Sequence, residues 1–222
     1  MARLPRLVLA GQAHWLIQRG HSGRVVFTDA ADRLLFLAAL KEAAASEQVL
    51  IHAYALLSNE VHLLATPALA SALSRTMQSL GRRYVSAHHR RHGGSGTLWD
   101  GRFRCAVVEP GATLLEVMVF IDGLADDPGM TSQAHRAGGP IDGMLVDPPE
   151  YWRLGNTPFE RHASWRRIVA EGLGYGRRET LLGAARGNWA VGSAAFAAAI
   201  SEIAARPASP RPRGRPRSQA PL

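Results

Sequence analysis

The sequence contains little cysteine, little lysine and no long apolar run, and each shortage excludes a class of protein. Cys105 is the only cysteine among 222 residues, so an internal disulfide and a cysteine-based zinc cluster are excluded. This cysteine usage fits a reducing cytoplasm. No apolar run reaches the ~18–20 residues that a membrane-spanning helix needs. The short run 7–10, after Arg3 and Arg6, is too brief for a secretory apolar core. We therefore expect a cytoplasmic protein without a membrane partner.

Acidic residues are fewer than basic ones, 18 against 26, which gives a net charge of +8 and a pI of about 10.8. Lys41 is the only lysine, so arginine supplies nearly all of the positive charge. A guanidinium group contacts phosphate in a bidentate manner more readily than an ammonium group does. This charge balance indicates a polyanionic partner.

The densest basic stretch contains a single acid, Asp100, and the aromatic residues Tyr84, Trp99 and Phe103 are interleaved with it. A run of charges is often only a solvated surface. Here the density of arginines, the scarcity of acids and the aromatic side chains favour a groove that binds a nucleic-acid strand. The candidate DNA-binding residues in this stretch are Arg82, Arg83, Arg90, Arg91, Trp99, Arg102 and Arg104.

The apolar patterns predict a β-α-β-β-α-β-α order in the first half of the chain. Asp29 is a credible N-cap for the first helix, and the pair Ser58-Asn59 forms the turn of a hairpin. Two βαβ halves joined by a hairpin indicate a ferredoxin-like antiparallel sheet with helices on one face, an α+β fold. The predicted elements are strands at 13–19, 48–57, 60–66 and 103–108 and helices at 30–46, 69–91 and 111–124.

Composition divides the chain into four segments. Residues 1–125 form the main domain, and residues 126–150, rich in Asp, Pro, Gly and Ser, form a linker or loop. Residues 151–205 predict a small helical domain, which is either a helix-turn-helix DNA reader or a packing appendage. Residues 206–222 alternate proline and arginine and predict a disordered tail. The tail sequence around Arg213 and Arg215 is similar to a minor-groove AT-hook, or is a generic charged tail.

The second strand of the hairpin carries a potential ligand pair. Alternation places Glu60, His62 and Leu64 on one face of the strand and Val61 and Leu63 on the other. A carboxylate and an imidazole two residues apart can form half of a metal site. The alternative is a histidine that is hydrogen-bonded to a neighbouring side chain.

An ordered set of segments resembles the single-tyrosine HUH transposases, and most closely their REP-associated (RAYT) branch. The likeness covers roughly residues 1–130 and resumes at Tyr151–Glu160 and in the basic tail. The segments that carry it are His14–Gly20, His52–Tyr54, Ser58–Leu64, Gly81–Tyr84 and Arg90–Phe103. The resemblance implies a HUH transposase-like DNA-binding domain over residues 1–125. It further implies hairpin-forming or repeat-derived single-stranded DNA as the partner, and a nucleoid-associated location.

In this family two histidines flanking an apolar residue hold Mg²⁺ or Mn²⁺, and the following helix supplies a tyrosine nucleophile and a polar ligand one turn later. The metal polarises the phosphate that the tyrosine oxygen attacks. In this chain only His62 matches the histidine pair, since Glu60 takes the first position. Phe120 stands in place of the tyrosine, and Leu124 stands in place of the polar ligand. The resemblance therefore implies that cleavage is lost or impaired and that no metal is tightly bound.

Some alternatives remain open at this point. A rearranged active site could use Tyr54 as the nucleophile, with Glu60 and His62 joined by Asp122 or Glu116 in a weak metal site. The protein would then be an active single-strand DNA transposase. It could instead be a non-catalytic regulatory or interaction protein at genomic repeats. Family members often act as dimers, so a homodimer, or complementation by a partner transposase, is a further expectation.

Overall fold

A computed structural model of the chain describes residues 6–125, 127 and 129–210, and its architecture is α+β. The four strands form an antiparallel sheet in the order β2-β3-β1-β4. This order places β1 and β3 at the centre, and it confirms the predicted ferredoxin-like sheet. The strands are β1 (His14–Arg19), β2 (Val49–Leu56), β3 (Glu60–Pro67) and β4 (Arg104–Val107).

The three helices of the first half are α1 (Ala30–Ser46), α2 (Ala72–His92) and α3 (Ala112–Asp122). As predicted, Asp29 caps α1, and its side chain accepts a hydrogen bond from the Asp32 amide. Helix α2 begins three residues later than the sequence predicts. The amide of Ala68 still donates to the carbonyl of Gln48, which keeps the chain at the end of the sheet.

The sheet separates two hydrophobic clusters. One face packs against α1 and α2, with Phe36, Leu63 and Tyr84 among its buried residues. The other face packs against α3, with Trp15 and Phe120 fully or nearly fully buried. The sheet is therefore covered on both faces, with α3 on the face opposite α1 and α2.

The C-terminal half adds α4 (Gln133–Arg136), α5 (Pro149–Trp152), α6 (Pro158–Glu171), α7 (Tyr175–Gly187) and α8 (Ala194–Ile203). Helix α6 begins with a capping box formed by Thr157 and Glu160. Trp165 of α6 and Leu181 of α7 lie in the same hydrophobic cluster as the α3 side of the sheet. The helical appendage therefore shares a core with the sheet, and a separate domain at 151–205 stays a prediction.

The described part of the predicted linker, 126–150, lies along β2. The amide of Leu56 donates to the carbonyl of Met130, and the amide of Ser132 donates to the carbonyl of Tyr54. Arg136 is fully buried. This segment is therefore attached to the edge of the sheet through backbone hydrogen bonds.

Within the described residues, no helix combines the length and the apolar character needed to cross a bilayer. The predicted DNA-binding residues Arg213 and Arg215 lie outside the described residues.

Candidate functional site

Strand β3 carries Glu60 and His62 in the middle of the sheet, between β1 and β2. Leu64 belongs to the cluster on the α3 side, whereas Val61 and Leu63 belong to the cluster on the α1–α2 side. The alternation read from the sequence is therefore correct. Glu60 and His62 are both buried, so each side chain needs a polar partner.

Both ring nitrogens of His62 are engaged. The indole Nε1 of Trp15 donates to Nδ1 at 3.1 Å, and Nε2 lies 2.9 Å from Oε1 of Glu60. Because an indole N–H can only donate, Nδ1 is unprotonated and Nε2 carries the proton that it donates to Glu60. Burial lowers the pKa of His62 despite the opposing effect of the Glu60 carboxylate. The ring is therefore neutral at neutral pH.

Two arginines complete the surroundings of Glu60. Nε of Arg19 lies 3.0 Å from Oε2, and Nη2 of Arg186 lies 3.5 Å from Oε1. Burial alone would raise the pKa of Glu60. The hydrogen bond from His62 and the charges of Arg186 and Arg19 outweigh burial and hold that pKa below its usual value. Glu60 is therefore an ionised carboxylate held between cations.

A divalent metal ion does not fit this pair as it is arranged. Coordination by a histidine needs a nitrogen lone pair, and the lone pair of His62 faces the indole N–H of Trp15. The oxygens of Glu60 face Arg19 and Arg186, whose positive charges would repel a metal. Glu60 and His62 are therefore not arranged to coordinate the metal that the resemblance implies for active relatives.

Phe120 lies next to His62. The two ring centroids are 6.3 Å apart, and Phe120 packs edge-on against Trp15 with centroids 5.0 Å apart. The guanidinium carbon of Arg178 lies 5.1 Å from the Phe120 centroid. A phenyl ring carries no nucleophilic atom, and Leu124, one turn later, offers no metal ligand. The side chains at these two positions have no oxygen or nitrogen for the chemistry.

The two remaining acids of α3 have partners of their own. Oε2 of Glu116 accepts from Nε of Arg177 at 2.9 Å. Asp122 is fully buried, and its Oδ1 accepts from the hydroxyl of Ser132 at 2.5 Å. Burial raises the pKa of Asp122 to about 6, although the charge of Arg136 opposes the shift. Both carboxylates are therefore engaged in contacts outside the Glu60–His62 pair.

Tyr54, the alternative nucleophile, lies on the opposite face of the sheet from His62. It pairs with Leu63 and belongs to the α1–α2 cluster, whereas Ala55 pairs with His62. The Tyr54 hydroxyl donates to Oδ2 of Asp142 at 3.1 Å. Burial, together with the Asp142 charge, raises the pKa of this phenol. Tyr54 is poorly placed and poorly activated for attack on a phosphate beside His62.

A pocket of about 230 Å³ opens beside the arginines that bind Glu60. We call it the arginine pocket, because four of its seven lining residues are arginine and one is acidic. It is lined by Ile17, Arg19, Asp100, Gly101, Arg102, Arg104 and Arg186. Within the described part of the chain, no ion pair involves Arg102 or Arg104. These two exposed cations are available to an anion.

A second, more open pocket of about 450 Å³ shares Gly101 and Arg102 with the arginine pocket. It runs past Arg75 and Gln78 of α2. Helical spacing places the exposed Arg82 one turn beyond Gln78 on the same face of α2. The two pockets and this helix face form a path along which a charged strand could lie.

The structure divides the predicted arginine cluster. Arg83 pairs with Glu42, and Arg91 pairs with Asp29 at 2.9 Å and with Asp32. The acids come from α1 and its N-cap, some sixty residues away in the sequence for Arg91. Neighbouring carboxylates compensate the charges of Arg83 and Arg91. These two arginines therefore attract a phosphate less strongly than unpaired exposed arginines would.

The other members of the predicted cluster differ in their surroundings. Arg82 and Arg90 are exposed on α2, and Arg90 donates to Ser86 at 3.1 Å. Trp99 is half-buried, and its ring lies 6.3 Å from Phe36, so packing accounts for much of its surface. Of the six arginines, Arg102 and Arg104 are the two that line the arginine pocket.

Sequence reasoning missed three arginines of this site. Arg19 is the last residue of the first predicted strand, and Arg178 and Arg186 lie in α7. Arg19 lies in the segment His14–Gly20, which did not mark it as a site residue, and no motif contains Arg178 or Arg186. Arg19 could have been found from strand pairing, because it lies opposite Glu60 in the β1–β3 register. Arg186 could not, since it reaches Glu60 across 126 positions of the sequence.

Comparisons with known proteins give a likeness of fold. No family model matches the chain, and no curated protein matches it. A solved structure of a REP-associated tyrosine transposase bound to a REP hairpin matches with a TM-score of 0.51 and 15% identity. The match covers 68% of this chain and 96% of that one.

A second solved structure is described as a candidate transposase from Deinococcus radiodurans R1. It matches with a TM-score of 0.38 and 20% identity, covering 49% of this chain and 88% of that one. The first match agrees with the ferredoxin-like sheet and with the resemblance read from the sequence motifs. This chain therefore has a RAYT-like, HUH transposase-like fold.

Proposed function

We propose that this protein binds hairpin-forming single-stranded DNA through the arginine pocket and does not cleave it through a phosphotyrosine intermediate. The observation that carries the proposal is the arginine pocket itself, which lies beside the Glu60–His62 pair. Arg102 and Arg104 supply positive charge there without an acidic partner among the described residues, so a DNA phosphate is the complementary ligand.

The loss of cleavage rests on the side chains around His62. Phe120 lies beside His62 without a nucleophilic oxygen, and both nitrogens of His62 are hydrogen-bonded. Phosphoryl transfer depends on positioning and on stabilisation of negative charge in the transition state. Arginine side chains can bind the phosphate, and among the described residues Phe120 offers no hydroxyl beside His62 to attack it.

The REP-associated transposase with a similar fold is bound to a REP hairpin, which makes a DNA hairpin the first ligand to test. A protein that binds hairpins without cutting them would act at genomic repeats by occupying or marking them. An active transposase with a rearranged site is the rival, and Tyr54 is its remaining nucleophile. Its position on the other face of the sheet argues against that rival.

The test is to incubate the full chain with a library of labelled hairpins and to measure binding and nicking together. If about five phosphates are neutralised, the affinity should fall at least tenfold between ~50 and ~200 mM salt. Fluorescence anisotropy gives the affinity. A denaturing gel with Mg²⁺ or Mn²⁺ shows any covalent adduct.

Duplex DNA of the same composition is the control for structure-specific binding. An affinity for hairpins that does not depend on salt, or no binding to any hairpin, contradicts the binding proposal. A wild-type adduct that disappears on Tyr54→Phe contradicts the loss of cleavage and establishes the rearranged site.

A further inference from the structure

Helix α2 ends with two histidines one turn apart that face a buried aspartate of α1. His88 and His92 are at positions i and i+4, so their side chains lie on one face of the helix. Asp32, at the start of α1, is fully buried. One ligand atom from each of these three residues lies within 4.8 Å of the other two. The cluster lies on the α1–α2 side of the sheet, away from His62.

The imidazole of His88 is a buried polar group without a partner. The residue is 8% exposed, and neither Nδ1 nor Nε2 has a hydrogen-bond partner among the described residues. An unsatisfied buried polar group is costly and rare in folded proteins. Its ring centroid lies 4.7 Å from that of His92, which in turn contacts Asp32 through Nε2 at 2.9 Å. The unused nitrogens of His88 therefore lie beside a carboxylate that is already contacted by a second imidazole.

We propose that Asp32, His88 and His92 bind a divalent transition-metal ion of the zinc class. Two imidazoles and one carboxylate form a ligand set that zinc uses in proteins, with water in the fourth position. Ligand atoms around tetrahedral zinc are separated by about 3.3 Å, and side-chain rotation can bring the three groups to that spacing. Imidazole ligands favour zinc, nickel and copper over magnesium, so we expect Mg²⁺ and Mn²⁺ to bind more weakly than Zn²⁺ at this site.

The surroundings of Asp32 leave room for this cation. The amide of Thr28 donates to its Oδ2 at 2.9 Å, which fixes the orientation of the carboxylate. Arg91 also contacts Asp32, but its Nη2 lies 2.9 Å from Oδ2 of Asp29. The arginine can remain paired with Asp29 when a metal takes an oxygen of Asp32. The negative charge of Asp29 would partly compensate the positive charges of Arg91 and of a bound metal ion.

A metal at this position would link the N-terminus of α1 to the C-terminus of α2. The chain leaves α2 at Gly93 and reaches the arginine pocket at Asp100–Arg104. Fixing the end of α2 would therefore fix the start of the segment that carries Arg102 and Arg104. This role is structural and does not depend on whether the pocket binds DNA.

The experiment uses the tag-free full chain, treated with a chelator and then titrated with Zn²⁺ by calorimetry. We expect one zinc ion per chain. We also expect His92→Ala and Asp32→Asn each to weaken zinc binding at least about tenfold, because the first removes an imidazole ligand and the second removes the negative charge of the carboxylate. His89→Ala is the matched control, since it removes a neighbouring histidine that does not belong to the group of three ligands. His62→Ala is the control for the strand pair, and neither control should change the affinity.

Co²⁺ provides a readout on the wild-type protein that does not depend on any variant. Bound at this site, it should show the intense visible absorption bands of a tetrahedral complex, and Zn²⁺ should displace them. The proposal is overturned if wild-type protein binds no zinc, or if binding survives both His92→Ala and Asp32→Asn. It is also overturned if binding is lost in His62→Ala and retained in His92→Ala.

Discussion

At the residue scale, the predicted ligand pair Glu60 and His62 is satisfied by contacts within the protein. Trp15 and Glu60 bind the two ring nitrogens, and Arg19 and Arg186 neutralise the carboxylate. A buried charge needs such compensation, because isolating it from water costs several kcal/mol. The guanidinium groups supply the positive charge that a metal would otherwise bring.

Phe120→Tyr alone should yield no covalent adduct with any hairpin. The new hydroxyl would lack a metal-activated phosphate, and electrostatic stabilisation is the main source of catalysis in phosphoryl transfer. Adding Glu60→His and Leu124→Asn rebuilds the family ligand set and should give detectable adduct with Mn²⁺. The measurement is a denaturing gel of labelled DNA. An adduct from the single variant would show that the arginines alone can activate the phosphate.

The buried His14 should make the protein less stable in mild acid. Nδ1 lies 2.7 Å from the carbonyl of Gln12, and the amide of Leu9 donates to Nε2. Only the neutral ring can accept the hydrogen bond from Leu9 and donate to Gln12 at the same time. Burial lowers the pKa of His14 from 6.5 to about 4. Only the unfolded chain takes up the proton between these values. The free energy of unfolding should therefore be unaffected above pH 6.5 and fall by about 3 kcal/mol as the pH drops towards 4.

Urea denaturation from pH 7.5 to 4 measures this effect, and His14→Gln should reduce the slope in that window. The exposed His21→Gln is the control, and its profile should match that of the wild type. A His14→Gln profile as steep as the wild-type profile would assign the acid sensitivity to other groups, such as the buried His52 and His62, whose pKa values burial also lowers.

At the scale of elements, α7 connects the C-terminal half to the site. Arg177 binds Glu116 of α3, Arg178 lies over Phe120, and Arg186 reaches Glu60. Three contacts from a single helix orient α7 over the face of the sheet that carries His62. The helix is therefore part of the candidate site as well as a packing element.

Arg102 and Arg104 should contribute more to DNA binding than Arg83 of α2. Arg102→Gln combined with Arg104→Gln should lower hairpin affinity about equally for all sequences and reduce the salt slope by about one for each lost phosphate contact. Arg83→Gln, which removes an arginine already paired with Glu42, should have a much smaller effect. Anisotropy titrations at several salt concentrations measure both quantities. Equal losses of hairpin affinity in the Arg102/Arg104 double variant and in Arg83→Gln would place the binding surface along α2 instead.

At the scale of the whole molecule, the sheet and the C-terminal helices share one hydrophobic cluster. Trp165 is fully buried and Leu181 is 1% exposed, and both lie in the cluster that contains Trp15 and Phe120. A hydrophobic cluster shared between two parts of a chain couples their unfolding. The segment 126–150 therefore lies between an α+β part and a helical part, and an independent domain at 151–205 stays a prediction.

Leu181→Ala should destabilise the whole chain by about 3 kcal/mol, because it leaves a cavity in the shared cluster. Thermal unfolding followed by circular dichroism and by tryptophan fluorescence should give coincident single transitions in wild type and variant. The exposed Ile203→Ala is the control and should change stability by less than about 0.5 kcal/mol. Two separate transitions, with only one shifted by Leu181→Ala, would establish an independent helical domain.

The sequence by itself determined the order of the elements and the faces of β3. Local signals carry this information: the Asp29 cap, the Ser58-Asn59 turn and the alternation around His62 all act within a few residues. The motif order also predicted the fold, which the structure confirms. The expectation that Phe120 stands in place of the family's tyrosine was read in the same way, from its place in a short helical motif.

Only the tertiary structure decided which charges are free and which are paired. Arg91 looks available for DNA in the sequence, yet acids of α1 and its N-cap bind it. Arg186 lies in no motif of the sequence, yet it reaches Glu60. Tyr54 needed the hairpin register before its face of the sheet was known. These facts depend on contacts between distant positions. Residue type and spacing determine local conformation, whereas the electrostatic environment of a side chain depends on what the fold brings next to it.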